Sequence, residues 1–334
     1  MPMKTGKLST RWCIVLWILP VAVGLLALGI GRVSIPAGDV FAALTGRQAV
    51  SQLTRMTLWN LRLPRILLAA LAGAGLSVAG CAFQSLFANP LATPDTLGVA
   101  SGASFGAALG LLLGFSMVGV QLTALMMGAL AVSLTWLAGS GKNKGLSTIV
   151  LAGIMMGSLF TALVSLVKFA ADEESQLPAI TYWLMGGMNN ADYPTLLLGA
   201  PAVIIGIAVL FVLRWRMNLL PLSEDEARSS GVNIGVLRGI TVVCATMITA
   251  SCVSMCGQVG WVGLLIPHMC RMKFGSNHLS LVPASISFGA AFLILVDTVA
   301  RSASAQEIPI SILTAIIGAP FFILLMRKTG GWSL

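Results

Sequence analysis

Residues 64–83 read Pro-Arg-Ile-Leu-Leu-Ala-Ala-Leu-Ala-Gly-Ala-Gly-Leu-Ser-Val-Ala-Gly-Cys-Ala-Phe. The stretch carries one charge, Arg65, at its very start, and its apolar residues run on without the two-residue alternation of a barrel strand. About 20 such residues span a bilayer as a helix, and lipid admits only helices or closed barrels. The stretch therefore predicts a transmembrane helix, and the rest of the chain repeats its pattern. Of the 334 residues, 57% are hydrophobic and 9% charged, where a soluble domain carries about 25% charged residues. The mean hydropathy is +0.93. Such a chain cannot build a water-facing surface. Soluble enzymes, nucleic-acid binders and secreted disulfide scaffolds are excluded despite the net charge of +9. An all-α polytopic membrane protein remains, read as one transmembrane domain over 1–334.

Working outward, spans are expected near 13–31, 64–83, 97–114, 119–138, 147–169, 196–213, 239–256, 259–272, 283–301 and 308–326. The eighth is short and broken by Pro267, so only partial spanning is expected of it. The first follows Lys4, Lys7 and Arg11 like a signal peptide. It is long for that role and lacks a small-x-small cleavage site before Arg32, which predicts a retained helix. With the N-terminus inside, 13 of the 20 basic residues fall on the cytoplasmic side and seven on the outer side. The positive-inside rule supports that orientation, and an even number of spans brings the C-terminus inside as well.

Two connections exceed simple turns. Residues 32–63 lie outside, with several arginines and one acid, Asp39. Residues 221–238 lie inside, and there Ser223 followed by Glu224, Asp225 and Glu226 is a helix start: a capping serine with acids in the first turn. Gly231 is placed to end that helix, with Arg228 before it, and a second short helix can run from Asn233 past Arg238. Two short polar helices on the cytoplasmic face make a docking surface, against the alternative of a solvated loop. Gly98, Gly102, Gly106 and Gly110 recur every fourth residue and form a stripe for close helix approach or for lining a pathway.

No catalytic constellation is present. Gly139-Ser-Gly-Lys142 lacks the glycine at 136 and the Ser or Thr at 143 that a phosphate loop needs; those positions hold Trp136 and Asn143. His268 and His278 have no second ligand at metal spacing, and no cofactor pattern is found. The six cysteines lie in or beside apolar segments and read as small buried hydrophobes. Asp297 and Arg301 stand four apart, the spacing of an ion pair along one helix. No chain of buried acids suggests a proton relay, which weighs against an ion-coupled secondary transporter, and no nucleophile–base pair supports an intramembrane enzyme.

Several stretches together resemble the FecCD family, the permeases of bacterial ABC importers for iron–siderophore complexes, haem and vitamin B12. They are Arg62-Leu-Pro-Arg65, Gly73-Ala-Gly75-Leu-Ser-Val-Ala-Gly80, Gln84, and Asn89-Pro-Leu-Ala-Thr-Pro-Asp-Thr-Leu-Gly98. Val262-Gly-Leu-Leu-Ile-Pro-His268-Met-Cys-Arg271, Asp297-Thr-Val-Ala-Arg301 and the segment from Glu307 to Phe322 extend the resemblance, which runs from about residue 12 to 328. The chain departs from the family pattern at Gly257-Gln-Val259 and in the less basic loop Lys273–His278.

The resemblance implies a vitamin B12 permease-like fold of about ten transmembrane helices, with spans two to five and seven to ten as inverted repeats. It implies a second permease subunit, identical or related, around a central pathway in the inner membrane of a bacterium. It also implies separate ABC ATPase subunits inside, a substrate-binding protein outside, and no enzymatic activity in this chain. Residues 221–238 match the ATPase-coupling helices, which involve Ser223, Glu224, Asp225, Glu226, Arg228, Gly231 and Arg238. The cytoplasmic gate falls on Asn89-Pro90-Leu91 and Ser147-Thr148. Arg62, Arg65 and Arg301 match arginines that hold carboxylates of the binding protein, a task suited to the planar guanidinium fork. The expected cargo is an iron chelate, a ferric siderophore, carried by ATP-driven alternating access.

Overall fold

A computed structural model describes residues 8–46, 50–139, 146–222, 226, 229–304 and 306–328. Helices occupy all ten expected spans: α1 (Thr10–Gly29), α4 (Leu63–Leu86), α5 (Val99–Leu112), α6 (Met117–Gly139), α7 (Leu146–Ala170), α9 (Tyr193–Leu213), α10 (Ile234–Cys256), α11 (Val262–Phe274), α12 (His278–Ser302) and α13 (Ile310–Lys328). Three helices lie in connections read as loops: α2 (Ala37–Leu44), α3 (Gln52–Met56) and α8 (Gln176–Leu184). Ser51 caps α3 by accepting from Thr54 N at 3.1 Å. A π-helical stretch, Thr57–Arg62, then carries the chain into α4 without a break. The continuous run Gln52–Leu86 has 35 residues and is about 50 Å long, beyond the roughly 30 Å of hydrocarbon. Its outer end therefore stands clear of the membrane.

Among the described residues, seven helices are long and apolar enough to cross a bilayer unaided. With 14 and 13 residues, α5 and α11 reach about 20 Å and cannot. The turns that precede them, 87–98 and 257–261, consequently lie within the membrane's depth, where irregular backbone is tolerated only if protein covers it. Helices cover them: on the first, a β-carbon placed on Gly263 of α11 would meet the Pro94 ring at 2.6 Å, and on the second, one placed on Gly257 would fall 2.4 Å from Trp183 O of α8. The sequence long buried helix, turn, short helix thus occurs twice, at α4–α5 and α10–α11, in the two segments expected to be inverted repeats.

Helix α4 is the axis of the fold, packed against α9, α10, α11 and α12. Small residues let the backbones close in. A β-carbon on Gly80 would fall 1.8 Å from Gly263 O, and one on Gly73 would fall 2.2 Å from Gly289 O. The four-residue glycine stripe is divided in use. Gly102, Gly106 and Gly110 seat α5 on α6, while Gly98 adopts φ +72° to cap the turn and faces α7. Among the cysteines, five are buried as expected; Cys13 on α1 is exposed.

Candidate functional site

Three groups of residues stand out, at one rim, along one lateral face, and at the end that carries residues 221–238. At the rim, the π-helical entry to α4 turns Arg62 inward, where it donates to the carbonyls of Leu28 and Val33. Arg301 donates to Ala27 O. These carbonyls belong to the end of α1 and the residues just after it, which lack helical partners. Arg65 clasps Asp297 with Nε and Nη2 at 2.8–3.0 Å and reaches Glu307 with Nη1 at 2.8 Å. The expected Asp297–Arg301 pair is therefore secondary, at 3.8 Å, because Arg65 from α4 holds the carboxylate face-on.

Arg62, Arg65 and Arg301, expected to hold carboxylates of a binding protein, all have partners inside the chain. Arg62 and Arg301 are buried, and Arg65 is nearly so, all three engaged within the chain. The exposed member of the cluster is Arg32, which lies 3.8 Å from Glu307. Four guanidiniums here face two carboxylates, leaving this cluster with an excess of two positive charges.

The lateral face holds a cleft of about 790 Å³ between the 87–97 turn and α7. Asn89, Thr93, Asp95 and Ser101 form one wall, and Ser158, Thr161 and Ser165 line the other. Asn89 Oδ1 accepts from Leu91 N at 2.9 Å and so fixes the turn. A capping box between Thr93 and Thr96 starts the 3₁₀ segment Pro94–Leu97. Asp95 accepts from Ala100 N at 2.9 Å and Ser101 N at 3.3 Å, capping α5. Of the expected gate, Asn89 and Leu91 line the cleft; on α7 its lining begins at Val150, so Ser147 and Thr148 stand exposed just beyond it.

A second cavity, of about 670 Å³, lies behind the same turn, between Asp95, Gln258, Trp261 and Ser311. Trp261 holds φ +67° there, a conformation that costs a bulky residue roughly 1–3 kcal/mol. Its ring is wedged against Gly318 of α13. The departure from the family pattern, Gly257-Gln-Val259, lies just before Trp261 and opens on Gly257 at φ +68°.

In the segment 221–238, expected to be cytoplasmic, Ser223, Glu224, Asp225 and Arg228 lie outside the described residues. Glu226 is helical, and its carbonyl accepts from the hydroxyls of Ser229 at 2.7 Å and Ser230 at 3.4 Å. Gly231 turns the chain at φ +72°. Asn233 then caps a helix by accepting from Val236 N at 3.2 Å. That helix is no separate short element: it is the first turn of the 23-residue α10, and Arg238 within it reaches back to Leu222 O at 3.4 Å. The apolar surface from Ile234 onward is continuous with the span, so nothing breaks the helix where a second short one was expected.

Comparison with known proteins agrees with this geometry. The FecCD transport family matches residues 18–328. The chain belongs to the FecCD transport family. It is 39% identical to the molybdate import system permease protein MolB of Haemophilus influenzae, over 94% of each chain. A probable iron chelatin transport system permease of Helicobacter pylori is 37% identical, over 81% of this chain and 82% of that one. Among solved structures, an inward-facing metal-chelate type ABC transporter superposes with a TM-score of 0.87 at 38% identity, covering 96% of this chain and all of the other. The FecCD chain is thus the multi-pass permease subunit of an ABC importer, and ATP hydrolysis resides in a separate subunit.

Sequence reading missed two features of this permease. The hydroxyls of Ser158, Thr161 and Ser165 share one face of α7, a signal present in their spacing of three and four residues. The role of Glu307 as Arg65's second partner, 242 residues away in sequence, had no local signal.

Proposed function

We propose that this FecCD permease passes a ferric siderophore through the cleft between α7 and the 87–97 turn. The observation that carries the proposal is the lining of that cleft. On an otherwise apolar lateral face it presents hydroxyls and amides, with one carboxylate, Asp95, and no Lys or Arg among the described lining residues. A volume of about 790 Å³ lies in the 300–1,000 Å³ range that holds drug-sized ligands. A bare oxyanion would meet Asp95 with no basic group to offset it. A bulky chelate with its own charge neutralised needs only a wet, weakly polar wall.

In this reading two permease chains, copies or relatives, face each other across their clefts in the bacterial inner membrane, with both termini inside. The segment 221–238 docks the ATPases, and ATP binding there moves it and switches the side to which the pathway opens. A binding protein docks on the arginine cluster of the outer rim, where one of its carboxylates replaces Glu307 on Arg65 while Arg32 takes up the displaced acid. Proteoliposomes holding the permease, its ATPase and its binding protein test the cargo. Uptake of a ferric siderophore should exceed that of molybdate, haem and cobalamin. Molybdate uptake without chelate uptake would overturn the proposal.

A further inference from the structure

We infer that His278 is the mechanical link between the coupling segment and the cleft turn, an inference that rests on the roles proposed for those two segments. Three stretches distant in sequence meet at its buried ring. On one side lies the 3₁₀ turn Arg216–Leu219, which leads directly into residues 221–231. Asn218 Oδ1 in that turn lies 2.9 Å from His278 Nδ1 and accepts from His278 N at 3.0 Å. Asn218 Nδ2 donates to Trp215 O at 3.0 Å and to Asn277 Oδ1 at 3.2 Å, so the carboxamide is fixed with its oxygen toward the histidine. On the other side of the ring, Nε2 lies 3.0 Å from Ser85 Oγ, and that hydroxyl is also 3.3 Å from Met217 O.

Ser85 stands one residue before the end of α4. Immediately after it the chain turns through Ala88, at φ +46°, into Asn89 and the cleft wall. Its neighbour Gln84 is held from the opposite direction. Gln84 Nε2 donates to Gly263 O at 3.4 Å, and Gln84 Oε1 accepts from Arg271, both on α11. The end of α4 is therefore gripped twice: by α11 through Gln84, and by the base of the coupling segment through His278 and Ser85.

Met217 and Leu220 are fully buried, so this base cannot slide over the core. A displacement of residues 221–231 must move it as a body. Two routes join that body to Ser85 and so to residue 89: a direct, longer contact from Met217 O at 3.3 Å, and the route through Asn218 and His278, whose contacts are 2.9 and 3.0 Å. Buried polar groups with every partner in place hold one geometry strongly. His278 is in this sense a positioning residue: it touches no cargo and carries movement.

Cysteine at position 89, on a Cys13→Ser background because Cys13 is the exposed native thiol, reports the turn's accessibility. In the assembled transporter its reaction with a water-soluble maleimide should change when ATP binds. In His278→Ala that change should shrink about fivefold, near the equilibrium effect of one net hydrogen bond, while basal ATP hydrolysis holds. The melting midpoint should fall, because a buried ring and its two partners are lost, so the response is read on assembled complex below that midpoint. Ser85→Ala removes that bond together with the contact to Met217 O and should act at least as strongly, serving also where His278→Ala does not assemble. The double variant should be no worse than Ser85→Ala alone, as for two members of one chain of contacts. His278→Gln, which keeps an amide near Nε2, should recover part of the response. If the parent shows no ATP-dependent change at residue 89, the cleft and coupling roles fail and this link with them. If the parent responds and both alanine variants respond equally, those roles stand and the link is overturned.

Discussion

Helices α4 and α7 are nearly equal in hydropathy, 2.1 and 2.2 over their most apolar stretches, yet 83% of the first is buried and 17% of the second. Lipid tails are as apolar as leucine, so hydropathy registers escape from water and not the choice between lipid and protein. What separates the two helices is the distribution of small residues. On α4, glycines face several directions: Gly73 meets α12, Gly75 meets α9 and α10, and Gly80 meets α11. On α7, Gly153 faces the 96–97 turn and Gly157 lies beside Gly98. The opposite provision, hydroxyls on the open face, marks α7 as a helix for a mixed environment. Ser158, Thr161 and Ser165 each donate to the carbonyl four residues back at 2.8–3.1 Å, which lets them face either lipid or water.

The comparison breaks most readily at Gly80. Gly80→Val places a branched side chain against the Gly263 backbone, where no flexible side chain can give way. Helices α4 and α11 must part, at a cost of about 3 kcal/mol or more. The folded fraction after mild heating, followed by fluorescence-detected size exclusion, should collapse. A melting curve like the parent's would show that α4 is not the tightly fitted axis.

A smaller effect is expected at the outer end of α4. Arg65→Glu reverses a charge in contact with Asp297 and Glu307. Docking of the binding protein should slow by about tenfold at low salt, and its dependence on ionic strength should flatten. Glu307→Gln, which frees Arg65 Nη1, should speed docking instead. Unchanged association rates over a salt series for both variants would assign the rim to structure alone.

The smallest stability change is expected on α7. Ser158→Leu on the exposed face should shift stability by no more than about 0.5 kcal/mol, as for ordinary surface positions. Uptake, in contrast, should fall, because an isobutyl group replaces a hydroxyl on the cleft wall. A variant that transports normally would place the pathway elsewhere and return α7 to the lipid.

Much of this molecule was legible in the residues. Apolar runs located all ten expected spans, and Asn233 marked the start of a helix, though a long one. The Asn89–Gly98 motif placed the turn that lines the cleft. Less legible were helix lengths inside the membrane. The 97–114 run is apolar throughout but only Val99–Leu112 is helical, because Gly98 and the Thr93–Thr96 capping box start a turn that hydropathy does not register. Likewise α12 begins at His278, not 283, since Asn277 caps it by accepting from Leu279 N at 2.9 Å, and Pro283 sits within the helix.

The sequence by itself determined the medium, the places of the ten long apolar segments and the family, since each follows from local properties: runs of apolar side chains, and a motif read in order along the chain. Only the tertiary structure decided which charges are spent and which are offered. Arg62, Arg65 and Arg301 read alike as outward-facing helix-end arginines, but the end of α1 has unpaired carbonyls, and Asp297 and Glu307 come from the far end of the chain. A guanidinium takes whichever acceptors the packing of other helices sets before it. The linkage of Ser85, Asn218 and His278 has the same origin, in side chains up to 193 residues apart.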